Sequence, residues 1–153
     1  MPEMKIYRIP REDGTKVPLP VYSTPGSACF DIFSNNQENI IIPAGETVKI
    51  PTGMKVEIET GWQLKLQNRS GLGTNKNVQL AHCVGTVDED YRGEIFIPIL
   101  NRGNRCFVVE PEMRICQGEL VPKYETTFNE VESESELSVT ERGDGGFGST
   151  GTN

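Results

Sequence analysis

Apolar and polar residues alternate along this chain in short runs, and glycine or proline interrupts the alternation before any run can lengthen. Met54, Val56 and Ile58 take alternate positions in MKVEIE, and Trp62, Leu64 and Leu66 do so in WQLKLQ after the Thr60-Gly61 break. In EIFIPIL, Ile95, Ile97 and Ile99 share one face, while Phe96 and Pro98 share the other. A period of two belongs to an extended strand with one buried face. Pro98 lacks the N–H of a ladder bond, which predicts an edge or a bulge in its strand. KIYRI, ACFDIF, NIIIP, TVKI, CFVVE and ICQGELVP supply further strands, and SGLGTNK is the best candidate for a short helical turn. Short strands at turn spacings predict an all-β sandwich, jelly roll or barrel.

With 153 residues, the chain suits one domain around one core. Its formal net charge of −7 argues against direct nucleic-acid binding, which rests on clustered Lys and Arg. An anionic ligand must therefore be met by a local group of arginines. Cys29, Cys83, Cys106 and Cys116 form no C-x-x-C pair, and His82 is the only histidine, so a zinc site has little support. The four thiols read as reduced. The N-terminal MPEMKIYRIPRED has no apolar core of a signal peptide, and no run approaches the ~18 apolar residues of a membrane span. A soluble, cytoplasmic protein without a membrane partner is expected.

Two regions are expected: a β-barrel over residues 1–128, and an acidic connector with a Gly-rich arm over residues 129–153. NEVESESELSVTE reads as solvated, with Val131, Leu137 and Val139 placed to anchor it along another surface. ERGDGGFGSTG follows, with five glycines around Arg142 and Phe147. By itself it reads either as a flexible end or as a lid whose backbone N–H groups close on an anion.

Polar chemistry gathers where the strands break: PGSACFDIFS from Pro25, NRSGLG from Asn68, GTVDEDYRG from Gly85, RICQG from Arg114, and the arm. Singly these are common turns. As an ordered set from Pro25 to Gly151 they resemble the five-motif pattern of the trimeric, all-β deoxyuridine triphosphatase (dUTPase) family. The resemblance implies a homotrimer of distorted jelly-roll barrels, each with a C-terminal arm that closes a site on a neighbouring subunit. It implies a dUTP diphosphatase that makes dUMP and pyrophosphate with Mg²⁺, keeping uracil out of DNA and supplying dUMP.

The same resemblance assigns roles residue by residue. Arg69, Arg114 and Arg142 match the phosphate-binding arginines, whose guanidinium forks suit bidentate contact. Ser70 matches the serine beside the scissile linkage, and Gly71 leaves room for close backbone approach. Asp88 matches the carboxylate that deprotonates the attacking water. Gln117 matches a polar residue that orders the catalytic region. Asp31 matches an acid linked to Mg²⁺ through water, in keeping with that ion's retained hydration shell. Tyr91 matches the residue beneath the deoxyribose. The hairpin from His82 through Gly85 and Thr86 to Val87 matches the uracil pocket, while Phe147, with Gly148 and Ser149, closes over the base from the arm. Asp90 is assigned to holding the turn. His82 and Cys29 depart from the residues common at their positions. Two rivals share part of this pattern: a dCTP deaminase of the same fold, and a nucleotide-sensing module that regulates a protein partner.

Overall fold

A computed structural model of the chain describes residues 2–146. Phe147, Gly148 and Ser149 lie outside the described residues. Among those described, eleven strands form four antiparallel sheets. β1 (Met4–Arg8) pairs with β5 (Met54–Ile58), and β3 (Ile40–Ile42) with β10 (Phe107–Val109). β4 (Thr47–Pro51), β9 (Phe96–Asn101) and β7 (Val78–Leu80) make a sheet in that order. The remaining sheet runs β2 (Phe30–Phe33), β11 (Arg114–Pro122), β6 (Trp62–Gln67), β8 (Gly85–Val87). The architecture is all-β and of jelly-roll type. No helix of the described residues is long and apolar enough to cross a membrane.

The alternating runs close one core. Ile32, Ile50, Leu64, Leu80, Ile97 and Ile99 are buried together although they come from five strands. The Phe30 ring abuts Gly118, where a Cβ would stand 2.5 Å from it, so only glycine lets β2 and β11 pack this closely. SGLGTNK forms α1 (Ser70–Lys76), anchored by buried Leu72 and ended by Asn77 in the left-handed region at φ 54°.

Pro98 departs from expectation. It sits in β9, the central strand of its sheet, opposite Lys49. The flank of β9 that its missing N–H would serve is where β7 has ended, at Leu80, and its carbonyl there accepts only from Ala81 N at 2.9 Å. The strand is central, yet at that residue it is locally an edge, so the lost donor costs no ladder bond.

After β11 the chain forms no further strand among the described residues. A single turn of 3-10 helix, Glu134–Glu136, carries a capping box from Ser133. Tyr124, Phe128, Leu137 and Val139 are all exposed along this stretch.

Candidate active site

The β2-β11-β6-β8 sheet gathers residues that lie far apart in the sequence. Asp31 stands opposite Gln117, Gln117 opposite Gln67, and the adjacent Leu66 opposite Gly85. β6 then delivers Arg69 and Ser70 to the start of α1. A bulge in β11 between Arg114 and Cys116 breaks the two-residue alternation. Ile115 and Cys116 both turn inward as a result, while Arg114 stays at the surface, still within reach of Asp31.

Asp31 is the hub of this end of the sheet, only 1% exposed. Its Oδ1 accepts from Arg69 Nε at 2.9 Å and from Gln117 Nε2 at 3.3 Å. Its Oδ2 accepts from the Ser23 hydroxyl at 3.0 Å and from Arg114 at 3.2 Å. Burial alone would raise the Asp31 pKa, but the Ser23 hydrogen bond and the charge and hydrogen bond of Arg69, with Gln117 beside them, hold it below the usual carboxylate value. Arg69 also donates to the Arg114 carbonyl at 3.2 Å, which ties the two arginine-bearing segments together. Arg69 and Arg114 keep 26% and 47% of their side chains exposed, so the cluster turns positive charge outward from a buried anion.

At the β8 edge lies a cleft of about 200 Å³. Buried Leu66, Val87 and Ile95 form its floor, and His82, Gly85 and Thr86 contribute one wall. Asp88, Tyr91 and Phe96 complete it. The His82 imidazole lies against the Gly85 backbone, where a Cβ would fall 2.8 Å from its Cε1. Tyr91 donates its hydroxyl to the Glu94 carbonyl at 2.8 Å and lies over Gly93, where a Cβ would collide with that hydroxyl. The ring is thereby fixed before any ligand arrives. Asp88 is exposed at the cleft, and no hydrogen bond or ion pair among the described residues occupies its carboxylate.

Glu89, rather than Asp90, holds the turn that presents Asp88. It accepts from Gly61 N at 2.7 Å and pairs with Lys123 at 2.9 Å, and these bonds, led by that from Lys123, lower its pKa. Asp90 is exposed, and no comparable bond engages it. Ser70 and Gly71 open α1 and are exposed. Arg142 is not brought to the arginine cluster: its Nε donates to the Gly145 carbonyl at 2.7 Å within the arm. A larger concavity, of about 740 Å³, lies along the connector between Glu134 and Asp144. One exposed segment alone encloses it, so no packed scaffold fixes its shape.

Among the described residues, no three His, Cys, Asp or Glu side chains gather to hold a metal. The carboxylate expected to meet Mg²⁺ through water has both oxygens doubly engaged by side-chain donors. The donor set therefore leaves no oxygen for direct coordination and fits a hard cation only by way of water.

The alternation pattern missed three lining residues. Leu66 and Ile95 read as core, and Phe96 as an outward strand residue. Only the size of Phe96, an aromatic directed away from the core just after GTVDEDYRG, signals a surface that binds something.

Residues 15–151 match the family model described as dUTPase. A deoxyuridine 5'-triphosphate nucleotidohydrolase of Chlamydia pneumoniae is 43% identical over 133 residues, 87% of this chain and 90% of that protein. Among solved structures, the dUTPase from Streptococcus mutans is 31% identical, with a TM-score of 0.67 over 72% of this chain and 89% of that one. The dUTPase of Staphylococcus bacteriophage 80alpha, solved with dUPNHPP, has a TM-score of 0.83 at 24% identity, over 98% of this chain and 99% of that one, and at that identity shows the fold alone.

Proposed function

Since this chain belongs to the dUTPase family and is a dUTP diphosphatase, we propose that Asp88 draws the proton from a water that attacks the α-phosphorus, releasing pyrophosphate and leaving dUMP. The observation that carries this reading is the Asp88 carboxylate, unpaired among the described residues and placed in a nucleoside-sized cleft on the sheet that also carries the arginine cluster. A base needs a free lone pair beside the reacting water, and Asp88 has one where Asp31 does not.

The other roles are assigned on the same reading. Arg69 and Arg114 bind phosphate oxygens with the outward faces of their guanidiniums, while Asp31 holds both in place from beneath and Gln117 keeps Asp31 oriented. Ser70, exposed directly after Arg69, donates its hydroxyl to oxygen that gains charge as pyrophosphate leaves, and Gly71 lets the backbone come close. The hairpin from His82 through Gly85 and Thr86 to Val87 reads the uracil edge. Tyr91, its hydroxyl already committed to Glu94, offers its ring to the deoxyribose. There a 2′-hydroxyl would lose water without gaining a partner, at about 1–3 kcal/mol.

The dUTPase family uses Mg²⁺. Asp31 is the residue of this chain that would hold the ion, through a water, and the ion would supply neutralisation of the triphosphate charge. The active assembly is a homotrimer in which residues 129–153 of one copy reach a neighbour's cleft. This brings Arg142 to the phosphates and Phe147, Gly148 and Ser149 over the base. Exposed Phe128, Leu137 and Val139 support such an anchoring.

Hydrolysis in water enriched in heavy oxygen tests the chemistry. The label is expected in the phosphate of dUMP and not in pyrophosphate. Label in pyrophosphate would place the attack on the β-phosphorus and remove Asp88 from its assigned role.

A further inference from the structure

Ser23 lies two residues ahead of the PGSACFDIFS segment, where nothing in the sequence marks it. In the fold it reaches the buried carboxylate of the site. Val21 and Asp31 form an isolated antiparallel bridge, in which Val21 N–H donates to the Asp31 carbonyl at 3.2 Å and Asp31 N–H to the Val21 carbonyl at 2.8 Å. The next residue, Tyr22, sets its ring edge-on against buried Phe30, with centroids 5.6 Å apart and planes at 81°. Two residues beyond the bridge, the period expected of extended backbone, the Ser23 hydroxyl meets Asp31 again and donates to Oδ2 at 3.0 Å. Thr24 and Ser27 then close the turn, with Ser27 N–H donating to the Thr24 carbonyl and Thr24 N–H to the Ser27 hydroxyl, both at 3.1 Å. Ser23 is held from both sides before any ligand arrives.

Of the donors that converge on Asp31, Ser23 has the shortest tether: a single side-chain torsion, on a loop bonded to the Asp31 backbone itself. Arg114, the other partner of Oδ2, reaches it on a long side chain that is 47% exposed. Ordering so long a chain costs rotamer freedom, whereas the serine has little to lose. Oδ2 therefore takes its direction from Ser23, and Arg114 takes its direction from Oδ2. Resting on the reading of Arg69 and Arg114 as phosphate-binding residues, we propose that Ser23 is a positioning residue for the triphosphate, its hydroxyl fixing the Asp31 carboxylate that aims both guanidiniums. It acts through Asp31 and lines no part of the nucleoside cleft.

The test uses the intact chain and two probes that divide the substrate, inorganic tripolyphosphate and deoxyuridine. Ser23→Ala is expected to lower kcat/KM for dUTP about 3- to 10-fold. Calorimetric binding of tripolyphosphate should weaken by a similar factor, while binding of deoxyuridine stays unchanged. Ser23→Thr, which keeps a hydroxyl on the same carbon, should bring tripolyphosphate binding back to within about twofold of the parent. A hydrogen bond that serves the fold alone would lower the melting temperature of Ser23→Ala and leave tripolyphosphate binding intact, and that result overturns the proposal. So does equal weakening of both probes, or a threonine variant that binds no better than the alanine one. Tripolyphosphate binding is read without turnover. A parent chain that fails to bind it overturns the reading of the arginines, whereas a parent and a Ser23→Ala variant that bind it equally well overturn the role of Ser23 alone.

Discussion

Asp88→Ala lowers kcat for dUTP by at least ~10², with little change in KM. A positioned general base contributes roughly 10²–10⁴ in rate, or about 3–5 kcal/mol of transition-state stabilisation, and an alanine has no lone pair to accept the proton. The fold should not notice the change. The Asp88 carboxylate has no partner among the described residues, and the turn around it is held by Glu89 through Gly61 and Lys123. Substitution at such an exposed, unpartnered position changes stability by no more than about 0.5 kcal/mol, so a thermal melt of the variant should overlay that of the parent. Full turnover in Asp88→Ala would transfer the base to another group. A large drop in melting temperature would assign Asp88 to the scaffold instead.

Asp31→Asn produces the opposite profile, with stability and affinity lost together. The amide keeps the shape but turns an N–H toward donors and leaves Arg69 and Arg114 without their shared anion. Breaking a buried ion pair from one side costs about 3–5 kcal/mol. The expected loss here is about 3 kcal/mol, because both arginines retain contact with water. The affinity for dUTP should fall as well, since the guanidiniums lose the group that aims them. Denaturant unfolding at neutral pH reads the first effect, and KM the second.

The same residue sets part of the acid limit of the fold. Its pKa is lowered in the folded chain, so between the folded value and the unfolded value of about 4 the unfolded state binds more protons. Stability from Asp31 is therefore fully present above about pH 4 and is lost as pH falls through the folded value. The Asn variant should lack this contribution to the acid limb.

Much of this was legible because strand alternation is a local signal. Ile95, Ile97 and Ile99 were expected on one face, and all three are buried. Asp31 shows where the signal ends. Phe30, Asp31 and Ile32 are buried in succession, which no half-exposed strand would show. One face meets the core and the other meets Ser23 and two arginines from distant segments, a burial by charge that hydropathy cannot register. The position of Pro98 depended on where β7 stops, and the stop is set by tertiary packing. Glu89 and Asp90 are neighbours of equal charge in one turn, so only the positions of Gly61 and Lys123 decide which of them holds it. Alternation puts Phe96 on the face opposite Ile95 and Ile97, and an outward strand position and a pocket wall look alike until β8 and β9 come together.

The measurement closest to the central claim is pyrophosphate release by the intact chain with Mg²⁺, run on dUTP beside dTTP, dCTP and UTP. The cleft predicts turnover confined to dUTP. On this reading thymine's methyl would overpack the slot, cytosine would reverse a donor and an acceptor, and ribose would bury an unpaired hydroxyl, each at about 1–3 kcal/mol or more. Comparable turnover of dTTP or UTP would contradict the assignment of the His82–Val87 hairpin and Tyr91 to base and sugar selection.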